Sequence, residues 1–175
     1  MNLISQIIKF IVSMFSHTQG IPKEPEGKLL DGRLYDVDLI KKWEGLELKA
    51  YQDGGGVWTI GYGHTKTVTP TMRITKTQAE ELLLQDVAWA SRAVEQLVTV
   101  PLNFDQRSVL VSFVYNIGRT QFSNSTLLRV LNKGAYEKAG QQLLRWVNDN
   151  GKFVQGLRNR REDELRRFIS NVSTT

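Results

Sequence analysis

Three consecutive glycines, Gly54 to Gly56, interrupt the stretch WEGLELKAYQDGGGVWTIGYGHT that runs from Trp43 to Thr65. Glycine weakens any regular element, so a run of three marks a sharp turn or a close approach of backbone to a ligand. LKAYQ before the run and VWTIGYGHT after it carry the aromatic and β-branched residues that strands favour. The segment predicts a small antiparallel sheet of two or three short strands with tight turns.

Helical patterns surround it. Asp36 can cap a short helix with Val37, Leu39, Ile40 and Trp43 on its apolar side, ended by Gly45. Thr75 and Gln78 have the spacing of a capping box before a long helix from Gln78 to about Val98, with Ala79, Leu82, Leu83, Val87 and Val94 as its apolar stripe. NFDQRSVLVSFVYNIG predicts an apolar helix that stops at Gly118. A short helix capped by Ser123 or Ser125 and stopped at Gly134 follows, then one from Ala135 to Val147, then a last one over NRREDELRRFIS. The sum is an α+β chain: a sheet lobe near the front, a helical lobe behind it, and a long helix able to join them. Two lobes leave a cleft suited to a polymer.

The first sixteen residues stand apart. Leu3, Ile4, Ile7, Ile8, Ile11, Val12, Met14 and Phe15 recur at helical spacing, with Asn2, Ser5, Gln6, Lys9, Ser13 and Ser16 opposite. The run is too short for an ordinary membrane span of about twenty apolar residues. Lys9 inside it, and the lack of an A-x-A-like site after it, make it a poor signal peptide. Packing on the domain's own surface and contact with a membrane surface both fit this pattern. A Pro- and Gly-containing linker follows. The chain thus divides into residues 1–33, an amphipathic helix and linker, and residues 34–175, the compact domain.

Composition narrows the chemistry. The 41% apolar content of the 175 residues supports a buried core. There is no cysteine, hence no disulfide framework and no thiolate metal site, and the two histidines, His17 and His64, lack metal-ligand spacing. The net charge of +5 suits an acidic polymer such as cell-wall glycan, and equally plain solubility. No zinc-finger, RRM-type or P-loop pattern accompanies it, which argues against nucleic acid as a partner.

Glu44, Asp53 and Thr59 sit around the glycine run. Glu44 ends its helix directly after Trp43; the negative end of the helix dipole and an apolar neighbour both disfavour an ionised carboxylate, which suits a general acid. Taken singly, each of the three has an ordinary reading, as a helix-end Glu, a turn Asp before Gly and a strand Thr. Taken together, one protonated carboxyl, one ionised carboxylate and a hydroxyl to hold water are the parts of glycoside hydrolysis.

At these residues the chain resembles the phage-type lysozymes, the endolysin glycosidases of T-even and lambdoid phages. Trp43-Glu44-Gly45, Ala50-Tyr51, Asp53 and Val57 to Thr65 resemble the family's signature; SFVYNIG at 112–118 resembles its central helix. FSNSTLLRVLN, RWVNDNGK and GLRNRREDE resemble its C-terminal lobe. The resemblance spans about residue 36 to residue 172. It implies a lysozyme-like fold and a muramidase acting on peptidoglycan strands, a monomer that needs no metal or organic cofactor. It assigns the general acid to Glu44, the second carboxylate to Asp53 and the water-positioning hydroxyl to Thr59. It places His64, Tyr115, Asn116 and, more loosely, Ser125 or Thr126 along the site, and turns Arg160 or Arg161 toward Glu44. Some relatives use cysteines to control activation; this chain has none, so a disulfide-caged form is excluded. The expected route is storage in the host cytoplasm and holin-mediated release to the periplasmic wall, with membrane-anchored export through the N-terminal segment as the alternative. A lytic transglycosylase would not need Asp53 and Thr59, a silent glycan-binding fold would have lost one of the three, and membrane disruption by residues 2–16 would be secondary.

Overall fold

The computed structural model describes residues 35–170. The expected amphipathic helix and the boundary at residues 33 and 34 lie outside that range. Among the described residues no helix is long and apolar enough to cross a membrane.

Helix α1, Val37–Glu44, starts as its sequence predicts: Asp36 accepts a hydrogen bond from the Asp38 amide at 2.9 Å. It stops at Gly45, where φ is 72°. Strands β1, Glu47–Gln52, and β2, Trp58–Gly61, pair antiparallel, with Tyr51 opposite Thr59 and Gln52 opposite Trp58. The register slips between Glu47 and Tyr51. A third extended piece joins them through backbone bonds from Ala50 to Met72 and from Ile74 to Leu48, both 3.0 Å. This is the "two or three strands" of the sequence, with the third reduced to a single bridge.

Helix α2, Lys76–Leu97, carries the full capping box at Thr75 and Gln78 and begins two residues before the expected start. It packs on β2 on one side and on α3, Phe104–Ile117, on the other, so it joins the lobes. Its buried line is Ala79, Leu83, Val87, Ala90, Ala93 and Val94, with Leu82 only half-buried. Helix α3 is buried from Ser108 to Val114 and forms the axis of the helical lobe. Short helices α4, Arg119–Ser123, α5, Thr126–Leu131, and α6, Tyr136–Gln141, wrap it. Helix α7, Gln155–Ile169, closes the lobe against α3.

Two local readings change. The helix expected from Ala135 to Val147 is α6 followed by a tighter 3₁₀ turn, Gln142–Arg145. Such tightening is common where a helix ends. Gly140 in α6 lets α7 come close: a Cβ there would sit 3.1 Å from side-chain carbons of Leu165, Phe168 and Ile169. Between this turn and α7 lies an unexpected hairpin, β3, Asn148–Asp149, with β4, Lys152–Phe153.

Charge ties the first helix to the last. Arg167 donates to Asp36 at 2.7 Å and to Asp105 at 2.8 Å, and Lys42 meets Asp163 at 2.7 Å. The Asp36 amide donates to Ser108 on α3 at 2.9 Å. Helix α1 is therefore docked on the helical lobe, and its last residue, Glu44, stands where the chain crosses into the sheet.

Candidate active site

The Glu44 side chain is 21% exposed, and its Oε1 accepts a hydrogen bond from Arg160 Nη1 at 2.8 Å. Arg160 is nearly buried and has no rotational freedom to spare. Its Nε donates to Glu164 Oε1 at 3.1 Å, and its Nη2 donates to the carbonyl and hydroxyl of Ser112 at 3.2 and 3.1 Å. Of the two arginines expected near Glu44, Arg160 makes the contact. Arg161 points away: it donates to Glu164 Oε2, Asn116 Oδ1 and the Trp146 carbonyl, and its guanidinium lies 4.9 Å from the Phe113 ring centre.

Asp53 is held by backbone. Its Oδ1 accepts from the amides of Gly55 and Val57, both at 2.9 Å, and its own amide and carbonyl bond to Val57 and Gly56. This is an Asx-type turn, the ordinary use of Asp before glycine. It also leaves Oδ2 without a protein hydrogen-bond partner among the described residues. Thr59 follows on β2, 4% exposed, and its hydroxyl donates to the Val57 carbonyl at 3.0 Å.

Tyr51, 40% exposed on β1, lies near both carboxylates without a hydrogen bond to either among the described residues. Burial pushes its phenol above its ordinary value, and the charges of Glu47, Asp53 and Glu44 push it the same way. One phenol therefore lies in the field of both Glu44 and Asp53.

The remaining expected residues fall into two groups. Tyr115 and Asn116 border cavities while each keeps an internal bond: the Tyr115 hydroxyl donates to the Tyr62 carbonyl at 3.4 Å, and Asn116 Oδ1 accepts from Arg161. Tyr115 stacks on Trp89 with ring centres 6.2 Å apart, and lines a cavity of about 210 Å³ with Gly63, Thr65, Lys66 and Asp86. Burial raises its phenol first, then the Asp86 and Glu44 charges. Asn116 borders a larger cavity of about 510 Å³ with Gln121, Trp146 and the β3–β4 hairpin. His64 lines neither of these cavities. His64 Nδ1 lies 2.6 Å from Asp86 Oδ2 and Nε2 lies 2.8 Å from the Lys66 carbonyl, so both ring nitrogens brace the loop beside the cavity. Ser125 accepts from the Leu128 amide at 3.0 Å and caps α5, and with Thr126 it lines a cavity of about 360 Å³ that shares Gln121 and Trp146 with the Asn116 cavity. Among the described residues, no three His, Asp or Glu side chains gather as metal ligands would.

Sequence reading missed Ser112, Asp86, Trp89 and Glu164. Glu164 had a signal: it lies four and three residues after Arg160 and Arg161, the spacing at which helix side chains meet.

A sheet lobe and a helical lobe joined by α2, with a tethered carboxylate at their junction and a second in the adjoining hairpin turn, define a lysozyme-like α+β glycosidase. Residues 41–164 match the sequence model of the phage lysozyme family. An endolysin of Acyrthosiphon pisum secondary endosymbiont phage 1 is 42% identical over 136 residues, covering 75% of this chain and 93% of that one. A SAR-endolysin of Bacteriophage PS119 is 40% identical, covering 69% of this chain and 73% of its own. Among solved structures, the muramidase domain of SpmX from Asticaccaulis excentricus superposes with a TM-score of 0.73 at 36% identity, covering 82% of this chain and 99% of its own. The chain belongs to the phage lysozyme family. It is a glycoside hydrolase of the muramidase kind, with peptidoglycan as its substrate and host lysis as its purpose.

Proposed function

We propose that the chain hydrolyses the β-1,4 bond between N-acetylmuramic acid and N-acetylglucosamine, with Glu44 as general acid. The observation that carries this reading is the double character of Glu44. It is fixed by a buried guanidinium at 2.8 Å, yet about one-fifth of its side chain remains open. A proton donor needs both a set position and access to the leaving oxygen.

The other groups take complementary parts. Glu44 gives its proton to the leaving glycosidic oxygen as the carbon–oxygen bond breaks, and Arg160 stabilises the carboxylate that results. Asp53, anchored through Oδ1, turns Oδ2 to the positive charge that develops on the sugar. Thr59 has given its hydrogen to the Val57 carbonyl, so it meets water as an acceptor. A water that donates to Thr59 keeps a lone pair for the anomeric carbon, and Asp53 takes its proton. Tyr115 and Asn116 contact the glycan from the helical side, and the chain works as a monomer.

The test is mass spectrometry of soluble products from purified Gram-negative sacculi. The intact protein yields reducing muramic-acid ends, and Glu44→Gln, folded, loses at least about a hundredfold in rate. Anhydro ends would move the chain to the transglycosylases. Near-full activity in Glu44→Gln would remove the general-acid assignment.

For delivery, we propose storage inside the host and release through a holin. The similarity to a SAR-endolysin favours a second reading, export of a form anchored through residues 2–16. Fractionation of expressing cells decides: protein in the membrane fraction, lost when residues 2–20 are deleted, supports anchored export.

A further inference from the structure

Glu164 is a carboxylate that no substrate reaches. It is 0% exposed, and yet it meets two guanidiniums and a hydroxyl. Oε1 accepts from Ser112 Oγ at 2.9 Å and from Arg160 Nε at 3.1 Å, and Oε2 accepts from Arg161 Nη1. Each guanidinium then continues to a different residue of the site. Arg160 reaches Glu44; Arg161 reaches Asn116 and the Trp146 carbonyl.

A buried ion cluster is a poor stability device. Well-packed apolar side chains of similar volume stabilise such a place as well or better. Glu164 has a second use in the electrostatics. Burial pushes the Arg161 guanidinium below its ordinary value, and the Glu164 charge is the largest influence opposing that. Without Glu164, two adjacent guanidiniums would share this interior with only Glu44 to balance them.

We propose that Glu164 is a positioning residue for the glycosidase reaction: one buried carboxylate sets both arginines, and through them the place and the charge balance of Glu44 and the orientation of Asn116. The proposal rests on Glu44 as general acid. The charged and titratable groups around Glu44 include Arg160 and, farther off, Arg161 on α7, Tyr51 on β1 and Tyr115 on α3, with Asp53 sharing the field at Tyr51. With Glu44 ionised, Glu44, Glu164, Arg160 and Arg161 sum to zero charge; with Glu44 protonated they sum to plus one. Glu164→Gln raises both sums by one and deepens the positive field at Glu44. That field favours loss of the proton a general acid must keep. The alkaline limb of the pH–rate profile therefore moves to lower pH.

The experiment measures kcat, KM and pH profiles of the full chain on uncross-linked glycan strands, for wild type, Glu164→Gln and Glu164→Asp. Val87→Ala, a buried truncation on α2 away from these groups, serves as the stability control. Glu164→Gln is expected to lose about tenfold in kcat with a smaller rise in KM through Asn116, and to shift the alkaline limb down by roughly one pH unit. Glu164→Asp keeps the charge, so it loses kcat but leaves the limb in place. A folded Glu164→Gln with the wild-type kcat and limb overturns the proposal, as does an equal loss in both variants with neither limb moved. If Glu164→Gln does not fold, Glu164→Asp decides: wild-type kcat overturns the proposal. A fall in kcat larger than any rise in KM, not shared by Val87→Ala at a matched Tm, supports it. A wild type that releases no reducing ends removes the muramidase reading, and this proposal with it; an active wild type with an indifferent Glu164 removes this proposal alone.

Discussion

The two carboxylates assigned to the reaction are held by different physics. Asp53 lies in a turn of exposed residues, at the end of a strand exposed at nearly every position, and backbone amides at 55 and 57 fix it. Glu44 is fixed from behind by Arg160, which is itself buried among Ser112, Glu164 and α3. The sheet lobe therefore places its carboxylate through chain conformation, and the helical lobe through packing and charge. Side-chain truncation should damage the second arrangement far more than the first, and backbone changes should do the reverse.

The largest expected effect breaks the packed side. Phe113 is 0% exposed and meets Trp146 and Phe122 edge-on, with ring centres 5.5 and 6.4 Å away. It also carries the Arg161 guanidinium on its face. Phe113→Ala should cost about 3–5 kcal/mol, read from urea unfolding. Val57→Ala, at a side chain 48% exposed in the sheet lobe, should stay within about 0.5 kcal/mol. Equal losses at the two positions would end the distinction between the lobes.

The next effect tests the turn. Gly56 has a φ of 78° and no atom within 4 Å of where a Cβ would lie, so a side chain there strains backbone without a clash. Its amide donates to the Asp53 carbonyl at 2.9 Å. Gly56→Ala should cost about 1–2 kcal/mol. Its kcat should fall further than that loss of stability explains, because the neighbouring amides orient Asp53. Gly56→Asn should recover most of the rate, since Asn tolerates this conformation. A Gly56→Ala enzyme with wild-type kcat would show that Asp53 does not depend on the turn.

The same difference decides what could be read in the sequence. The turn was legible because its determinants are local: Asp53, three glycines and the flanking strand residues are contiguous. So were the caps at Asp36 and Thr75, which act over two or three residues. The β3–β4 hairpin was legible in principle, since Asn150-Gly151 is a strong two-residue turn signal; both residues have positive φ, 48° and 77°. Its strands, of two residues each, gave no alternation to support it. The Arg160–Glu44 contact joins residues 116 apart, and only family resemblance brought those two together. Burial of Glu164 was beyond local reading. A charged residue in a run of charged residues reads as solvated surface until α3 is known to cover it.

The smallest effect concerns a surface counterpart of the buried cluster. Lys42, two residues before Glu44 on α1, meets Asp163 on α7 at 2.7 Å, and Asp163 also meets Arg166 at 3.3 Å. Partial burial pushes the Asp163 carboxyl up, but Lys42 and Arg166 outweigh it and hold the group below its ordinary value of 3.8. A folded-state value below the unfolded one means that the carboxylate adds stability at neutral pH. That contribution is lost as pH falls below 3.8 and through the folded value. Lys42 and Arg166 are 56% and 71% exposed, so solvent screening keeps the total under about 1 kcal/mol. Asp163→Asn should therefore unfold slightly earlier than wild type in urea at pH 7, and the gap should close as pH is lowered through that range or as salt is raised. Its kcat should equal that of wild type, because Arg160 rather than the surface pair fixes the end of α1. A clear fall in kcat for Asp163→Asn would show that α1 is aligned from the surface as well, and that buried and exposed supports share the placement of Glu44.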